Sequence, residues 1–169
     1  RFSAKMDRMS HIWSPWRKEY IENQERPAGC IFCNEVKKVD GPENLVVYRG
    51  VRVYVILNRY PYTNGHLMVV PFAHLASLEL MDAPTRSELI DLVSHSTVVL
   101  KAVYGPAGFN IGANVGASAG AGIADHFHMH LVPRWSGDTN FMSTVSGTRV
   151  ISEALDDIYQ RVCAAWKTA

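Results

Sequence analysis

No stretch of the 169-residue chain approaches the roughly 20 consecutive apolar residues that cross a bilayer as a helix. The N-terminal residues also lack the charged-then-apolar pattern of a secretory signal. No membrane partner is expected, and the sequence reads as a soluble, cytoplasmic protein. Cysteine is scarce: three residues, an odd number, cannot make a disulfide scaffold. Neither sign of charge predominates, because 17 Lys and Arg stand against 16 Asp and Glu. With no basic stripe, a nucleic-acid partner is disfavoured. Internal repeats and low-complexity linkers are lacking too, although residues 112–122 are rich in Gly and Ala. What is present is the 47% hydrophobic content of an ordinary globular chain, at a length that suits a single core. Residues 1–10 are read as an N-terminal extension and 11–169 as one domain. Trp13, Trp16 and Tyr20 carry too much apolar surface for a free tail and are expected to pack onto the body.

Residues 45–49 and 51–57 are rich in β-formers and are separated by Gly50, which predicts a hairpin. A turn-rich loop over 58–65 leads into an apolar third strand over 66–71. Asp82 is a candidate N-cap, with Pro84 in the first turn. From there Leu89, Leu92, Val93, Val99, Leu100 and Val103 recur at helical spacing until Gly105 and Pro106. Residues 109–114 and 127–133 read as strands four and five, and Ser152 as the cap of a last helix with Ile158, Val162 and Trp166 on one side. Strands and helices segregate, so the fold class is α+β with a five-stranded antiparallel sheet, one long helix and a C-terminal helix.

The chemistry concentrates in Asp125-His126-Phe127-His128-Met129-His130-Leu131. On a strand, alternate side chains share a face, so His126, His128 and His130 are expected to project together, away from Phe127, Met129 and Leu131. Residues i, i+2 and i+4 span about 13 Å at 3.3 Å per residue, too far for one ion to hold all three rings. Nucleophilic catalysis on phosphorus fits better. A neutral imidazole held at one ring nitrogen presents the lone pair of the other, and the central His128 is best placed to do so. Cys30-Ile-Phe-Cys33 is half of a metal knuckle; by itself it fits equally a redox pair or two reduced core thiols.

The alternating run resembles the signature of the histidine triad (HIT) superfamily of nucleotidyl hydrolases and transferases. Asn58-Arg-Tyr-Pro-Tyr-Thr-Asn-Gly65-His66-Leu-Met-Val-Val-Pro71 is similar to that family's nucleoside-binding loop and strand, and Asn110-Ile-Gly-Ala-Asn114-Val-Gly116 to its phosphate-side strand. Trp13-Ser-Pro-Trp16-Arg17 and Pro133-Arg-Trp-Ser-Gly-Asp-Thr-Asn-Phe-Met142 resemble a bacterial branch that includes diadenosine tetraphosphate phosphorylases and hydrolases. The resemblance implies that His128 carries a nucleoside monophosphate covalently, that His130 and His66 lie near phosphate oxygens, that Asn58 binds the ribose hydroxyls and that Asn114 lies beside the phosphates. Where many members place a Gln or Ser shortly before the triad, this chain offers Ala119-Gly120-Ala121-Gly122, so backbone N–H groups near Gly120 and Gly122 are expected to meet the nucleotide.

Metal-containing relatives imply that Cys30 and Cys33 are completed by His74 and His126 into a closed structural zinc site, one per chain, contributing about 10 kcal/mol to folding. The function implied is cleavage of dinucleoside polyphosphates. Hydrolysis of nucleoside phosphoramidates or adenylyl conjugates, and nucleotide binding without turnover, stand as alternatives. Phosphorolysis against hydrolysis, any Mg²⁺ accompanying the substrate, base preference and the roles of Arg134 and Asp138 stay open at this stage. The family's habit of joining sheets implies a homodimer.

Overall fold

The computed structural model describes residues 29–138 and 153–169. The aromatic segment with Trp13, Trp16 and Tyr20, the position of Ser152 and the end of the Pro133-to-Met142 motif lie outside them. In chain order come α1 (Ile31–Glu35), β1 (Val46–Arg49), β2 (Val53–Leu57), β3 (Leu67–Pro71), a short 3₁₀ turn, α2 (Ala83–Tyr104), β4 (Gly108–Gly112), a second 3₁₀ turn, β5 (Met129–Arg134) and α3 (Leu155–Trp166). The strands form one antiparallel sheet in the order β1-β2-β3-β5-β4.

Strands β2 and β3 are buried along their whole length because both faces of the sheet are covered there. One face carries α2, which packs on β2, β3 and β5 and is itself packed by α3. Helix α2 has the predicted ends. The Asp82 carboxylate accepts from the Thr85 N–H at 2.9 Å, and Gly105 closes the helix in the left-handed conformation; such a cap is worth about 1 kcal/mol. Helix α3 buries the predicted Ile158, Val162 and Trp166. It begins at Leu155 with Ala154 as the N-cap, however, two residues beyond the expected Ser152. No helix among the described residues is long and apolar enough to cross a membrane.

The other face belongs to the site. Register pairs Met68 with both Ile56 and His130, and cross-strand partners share a face, so these three side chains point to the same side. Helix α1 lies over that side, with Phe32 buried and its carbonyl accepting from the Tyr54 hydroxyl at 3.2 Å. Gly65 makes the turn into β3 at φ +74°, where a Cβ would press on the Tyr104 ring at 2.9 Å. That close approach delivers His66 to the sheet.

Every strand starts one or two residues away from expectation, β2 at Val53 rather than Val51, and two of the boundary differences bear on the site. Strand β5 starts at Met129 rather than at Phe127, because the Phe127 N–H is donated to the Leu75 carbonyl at 2.6 Å and leaves the ladder. Strand β4 stops at Gly112, which pairs with His130; with β5 beginning only one residue earlier in its own sequence, the ladder has little left to pair with and Asn114 falls in the following loop.

Candidate active site and metal cluster

Only His130 of the three alternating histidines sits within a strand, yet the rings still follow one another along one side. The His128 ring centroid lies 4.9 Å from both His130 and Phe32, and Phe32 lies 5.4 Å from His126. Phe32 therefore stands between two chemically different groups.

On the first side, His126 meets Cys30, Cys33 and His74. His126 Nδ1 is 3.2 Å from Cys30 Sγ, 3.5 Å from Cys33 Sγ and 3.2 Å from His74 Nδ1, while Cys33 Sγ is 3.4 Å from His74 Nδ1. All four donor atoms lie within 4.8 Å of one another. Ligands held about 2.0–2.3 Å from a shared tetrahedral ion stand roughly 3.3–3.8 Å apart, so this donor set fits a metal ion. The His126 Nε2–H is donated to the Pro71 carbonyl at 2.9 Å, which leaves Nδ1 with its lone pair turned to the cluster. Burial and the neighbouring Cys30 thiol push the Cys33 thiol up, a cost that a bound cation would offset. The cluster unites all four residues that the resemblance implied.

On the second side lies an open cleft that combines apolar walls with a few convergent polar side chains, as small-ligand sites do. His128, His130, Asn58, Asn114, Gly120 and Gly122 all line it. His128 Nδ1 lies 2.9 Å from the His126 carbonyl oxygen. A carbonyl only accepts, so the proton is on Nδ1 and Nε2 keeps its lone pair. Burial lowers the His128 midpoint from the ordinary histidine value, opposed by that carbonyl, and so favours the neutral ring.

His66 does not line the cleft. It is fully buried behind His130, with its Nε2 2.9 Å from His130 Nδ1. The Tyr62 N–H is donated to His66 Nδ1 at 3.1 Å, so the His66 proton sits on Nε2, points at His130 Nδ1 and leaves the His130 proton on Nε2. Burial, with the His130 and His128 rings adding, pushes the His66 midpoint down to about 3. The structure thus puts His66 against His130, whereas the resemblance implied a place near phosphate.

Asn58 combines two arrangements: its Oδ1 accepts from the Tyr60 N–H at 3.0 Å, as a turn residue does, while Nδ2 lies 3.3 Å from His66 Nδ1. Gly120 borders the cleft at φ +84°, but its N–H is donated to the Ala117 carbonyl at 3.0 Å, so that amide is already engaged within its own turn. Arg134 and Asp138 form a bidentate pair at 2.5 and 2.8 Å, and Arg134 also donates to Asn110 Oδ1 at 2.6 Å; neither Arg134 nor Asp138 lines the cleft. Phe32, Tyr62 and Leu45 line the cleft and were missed by the sequence reading. Leu45 carries a signal only in its backbone, a buried non-glycine residue at φ +61°.

A five-stranded antiparallel sheet carrying a row of imidazoles, with a helix-borne cysteine pair closing on the first of them, defines a histidine-triad fold. The model of the HIT domain family matches residues 41–137, more than half of the chain, and the chain belongs to that family. An AP-4-A phosphorylase of Mycobacterium tuberculosis is 37% identical over 171 aligned residues, covering 96% of this chain and 87% of that protein. Among solved structures, a histidine triad nucleotide-binding protein of Sulfolobus tokodaii superposes with TM-score 0.67 at 27% identity, over 82% of this chain and 93% of that one. A zinc-bound histidine triad family protein of Mycobacterium smegmatis gives TM-score 0.66 at 22% identity, over 83% and 94%, and supports the fold.

Proposed function

We propose that the protein is a nucleotidyl hydrolase or transferase of the HIT type that cleaves a dinucleoside polyphosphate through a nucleotidyl group carried on His128. The observation that carries this reading is the single hydrogen bond from His128 Nδ1 to the His126 carbonyl, inside a cleft, which leaves one unprotonated ring nitrogen facing the ligand space. The likeness to the mycobacterial AP-4-A phosphorylase supports the choice of substrate.

In the first step the Nε2 lone pair of His128 attacks a nucleoside-bearing phosphorus. An N–P bond forms, and the P–O bond to the departing nucleoside polyphosphate breaks with its electron pair. His130, with its proton on Nε2, donates to oxygens on which charge builds up, and His66 keeps it in that tautomer. In the second step an acceptor oxygen attacks the same phosphorus and the N–P bond breaks, returning His128 to its starting state. Inorganic phosphate as acceptor yields a nucleoside diphosphate; water yields the monophosphate. Asn58 and Asn114 both line the cleft, and in this reading Asn58 binds the ribose hydroxyls and Asn114 lies beside the phosphates.

Zinc is the metal we assign to Cys30, Cys33, His74 and His126, because two thiolates and two imidazoles suit it and four protein donors leave no place for substrate. Its chemistry there is to fix structure: the ring of His126 belongs to the cluster and the carbonyl of the same residue sets the tautomer of His128. Residues 11–169 form one domain in this reading. Strand β4 is a sheet edge with Ile111 half exposed, a surface on which a second copy would extend the sheet.

The test is incubation of the purified protein with diadenosine tetraphosphate, with and without inorganic phosphate. ADP plus ATP formed only with phosphate means phosphorolysis, and AMP plus ATP means hydrolysis. Absence of any product, while AMP linked to an amine is turned over, would replace this reading by phosphoramidate hydrolysis. Saturable AMP binding with neither product would make the protein a nucleotide binder.

A further inference from the structure

The buried ring of His66 is walled off from the cleft by residues that themselves border it. Asn58 Nδ2 stands 3.3 Å from its Nδ1 and His130 Nδ1 stands 2.9 Å from its Nε2, so these two occupy the nitrogen edges. The face of the ring falls to Tyr62, whose ring centroid lies 4.7 Å away with 32° between the planes. The same tyrosine ring reaches His130, at 6.2 Å and 34°. Asn58, Tyr62 and His130 all line the cleft, whereas His66 has no exposed surface. Tyr62 is therefore the side chain that stands between the ligand space and the face of His66.

The backbone of Tyr62 adds a second constraint. Its N–H is donated to His66 Nδ1 at 3.1 Å. Asn58, whose Oδ1 is taken by the Tyr60 N–H at 3.0 Å, turns Nδ2 toward the same nitrogen and can only donate to it. With two donors facing Nδ1, the ring proton stays on Nε2 and is aimed at His130. The loop that carries these donors is itself tied down. Thr63 Oγ1 donates to the Pro133 carbonyl at 3.0 Å, on the strand that bears His130, and the His66 N–H is donated to the Thr63 carbonyl at 3.2 Å. Residues 58–66 are thus wrapped round one imidazole.

Resting on the reading that the cleft cleaves a nucleotide through His128, this wrapping has a catalytic consequence. We propose that Tyr62 is a positioning residue for that reaction: its ring seals the face of His66 from the cleft while its N–H faces His66 Nδ1, and together they keep the His66 Nε2–H on His130, so that His130 presents its own Nε2–H to the phosphate oxygens. The seal matters because burial is the largest influence holding His66 neutral, and the other titratable groups that bear on it, the His130 and His128 rings, push in the same direction. With the tyrosine ring removed, water reaches the imidazole and lets it take up a second proton at Nδ1. The two N–H groups facing that nitrogen repel the new proton, the ring turns, and its alignment with His130 is lost. His130 is then free to carry its proton on Nδ1, where it does nothing for the phosphate.

The test compares the metal-loaded wild type with Tyr62→Ala and with the conservative variant Tyr62→Phe, by steady-state kinetics on diadenosine tetraphosphate and by nitrogen-15 NMR of the histidine rings. Tyr62→Ala should lower kcat at least about tenfold and leave KM within about threefold, and its His66 should titrate with a midpoint above about pH 5. Tyr62→Phe keeps both the ring and the N–H, so it should recover most of the lost kcat and show no His66 titration between pH 8 and 5. In the wild type, His66 and His130 should both carry their proton on Nε2. An unchanged kcat in Tyr62→Ala, a loss in KM alone, a Tyr62→Phe as impaired as Tyr62→Ala, or an Nδ1-protonated His66 or His130 in the wild type overturns the proposal. If Tyr62→Ala does not fold, the wild-type tautomers and Tyr62→Phe still decide. If the wild type turns over no dinucleoside polyphosphate, the functional reading itself falls and takes the positioning role with it, a result distinct from turnover that ignores Tyr62.

Discussion

The two sides of Phe32 use the same residue types for opposite ends. In the metal cluster, His126 turns Nδ1 inward and gives its Nε2–H to a carbonyl, so its lone pair is directed at thiols and a second imidazole in a space that four protein donors fill. In the cleft, His128 gives its Nδ1–H to a carbonyl, so Nε2 is directed at an open space. The difference lies in which ring nitrogen the backbone occupies, and under the proposed function it separates a structural imidazole from a nucleophilic one only two residues away. The two are also joined, because the carbonyl that orients His128 belongs to the residue whose ring serves the cluster.

The largest effect is expected where that distinction is removed outright. His128→Asn should lower turnover of diadenosine tetraphosphate at least about 10³-fold, with the affinity for AMP nearly unchanged, as single-turnover assays and calorimetry would show. Next comes the cluster. Cys33→Ser should abolish stoichiometric zinc in elemental analysis and lower folding stability by several kcal/mol. Activity should follow the loss of structure rather than vanish with structure intact, and full metal occupancy in that variant would break the comparison. His66→Gln, which removes the ring holding the His130 tautomer, should cost about 10²-fold in kcat with little change in KM.

A pH experiment sharpens the same contrast. The His66 midpoint near 3 lies below the ordinary 6.5, so the unfolded chain binds a proton first. Stability from the buried neutral ring is present above pH 6.5 and is lost as pH falls from there towards 3. NMR of the ring should show no His66 titration between pH 8 and 5, and a midpoint near 6.5 would contradict its burial. The smallest effect belongs to Gly120→Ala, which meets no clash but must hold a side chain at φ +84°; it should cost about 1 kcal/mol in thermal melts and leave the metal in place.

Much of this was legible in the sequence for local reasons. Asp82 with Pro84, and Gly105 with Pro106, mark the ends of α2 because capping chemistry is short-range. The Cys30 and Cys33 spacing announces a knuckle, although its two histidine partners lie 41 and 93 residues or more away in the chain and were reached only through family likeness. The start of β5 was not legible, since Phe127 leaves the ladder for a contact with Leu75 that sequence does not reveal. Nor could spacing distinguish His66 behind His130 from His66 facing the ligand, because the outcome depends on a tertiary hydrogen bond.

The central claim is that His128 Nε2 becomes bonded to phosphorus during turnover. Rapid quenching of the reaction with α-phosphorus-labelled diadenosine tetraphosphate, followed by peptide mapping under conditions that preserve phosphoramidates, tests it directly. The account predicts label on the peptide containing His128, lost in His128→Asn and discharged on adding acceptor. Turnover without label on that peptide, or label retained in His128→Asn, would contradict it.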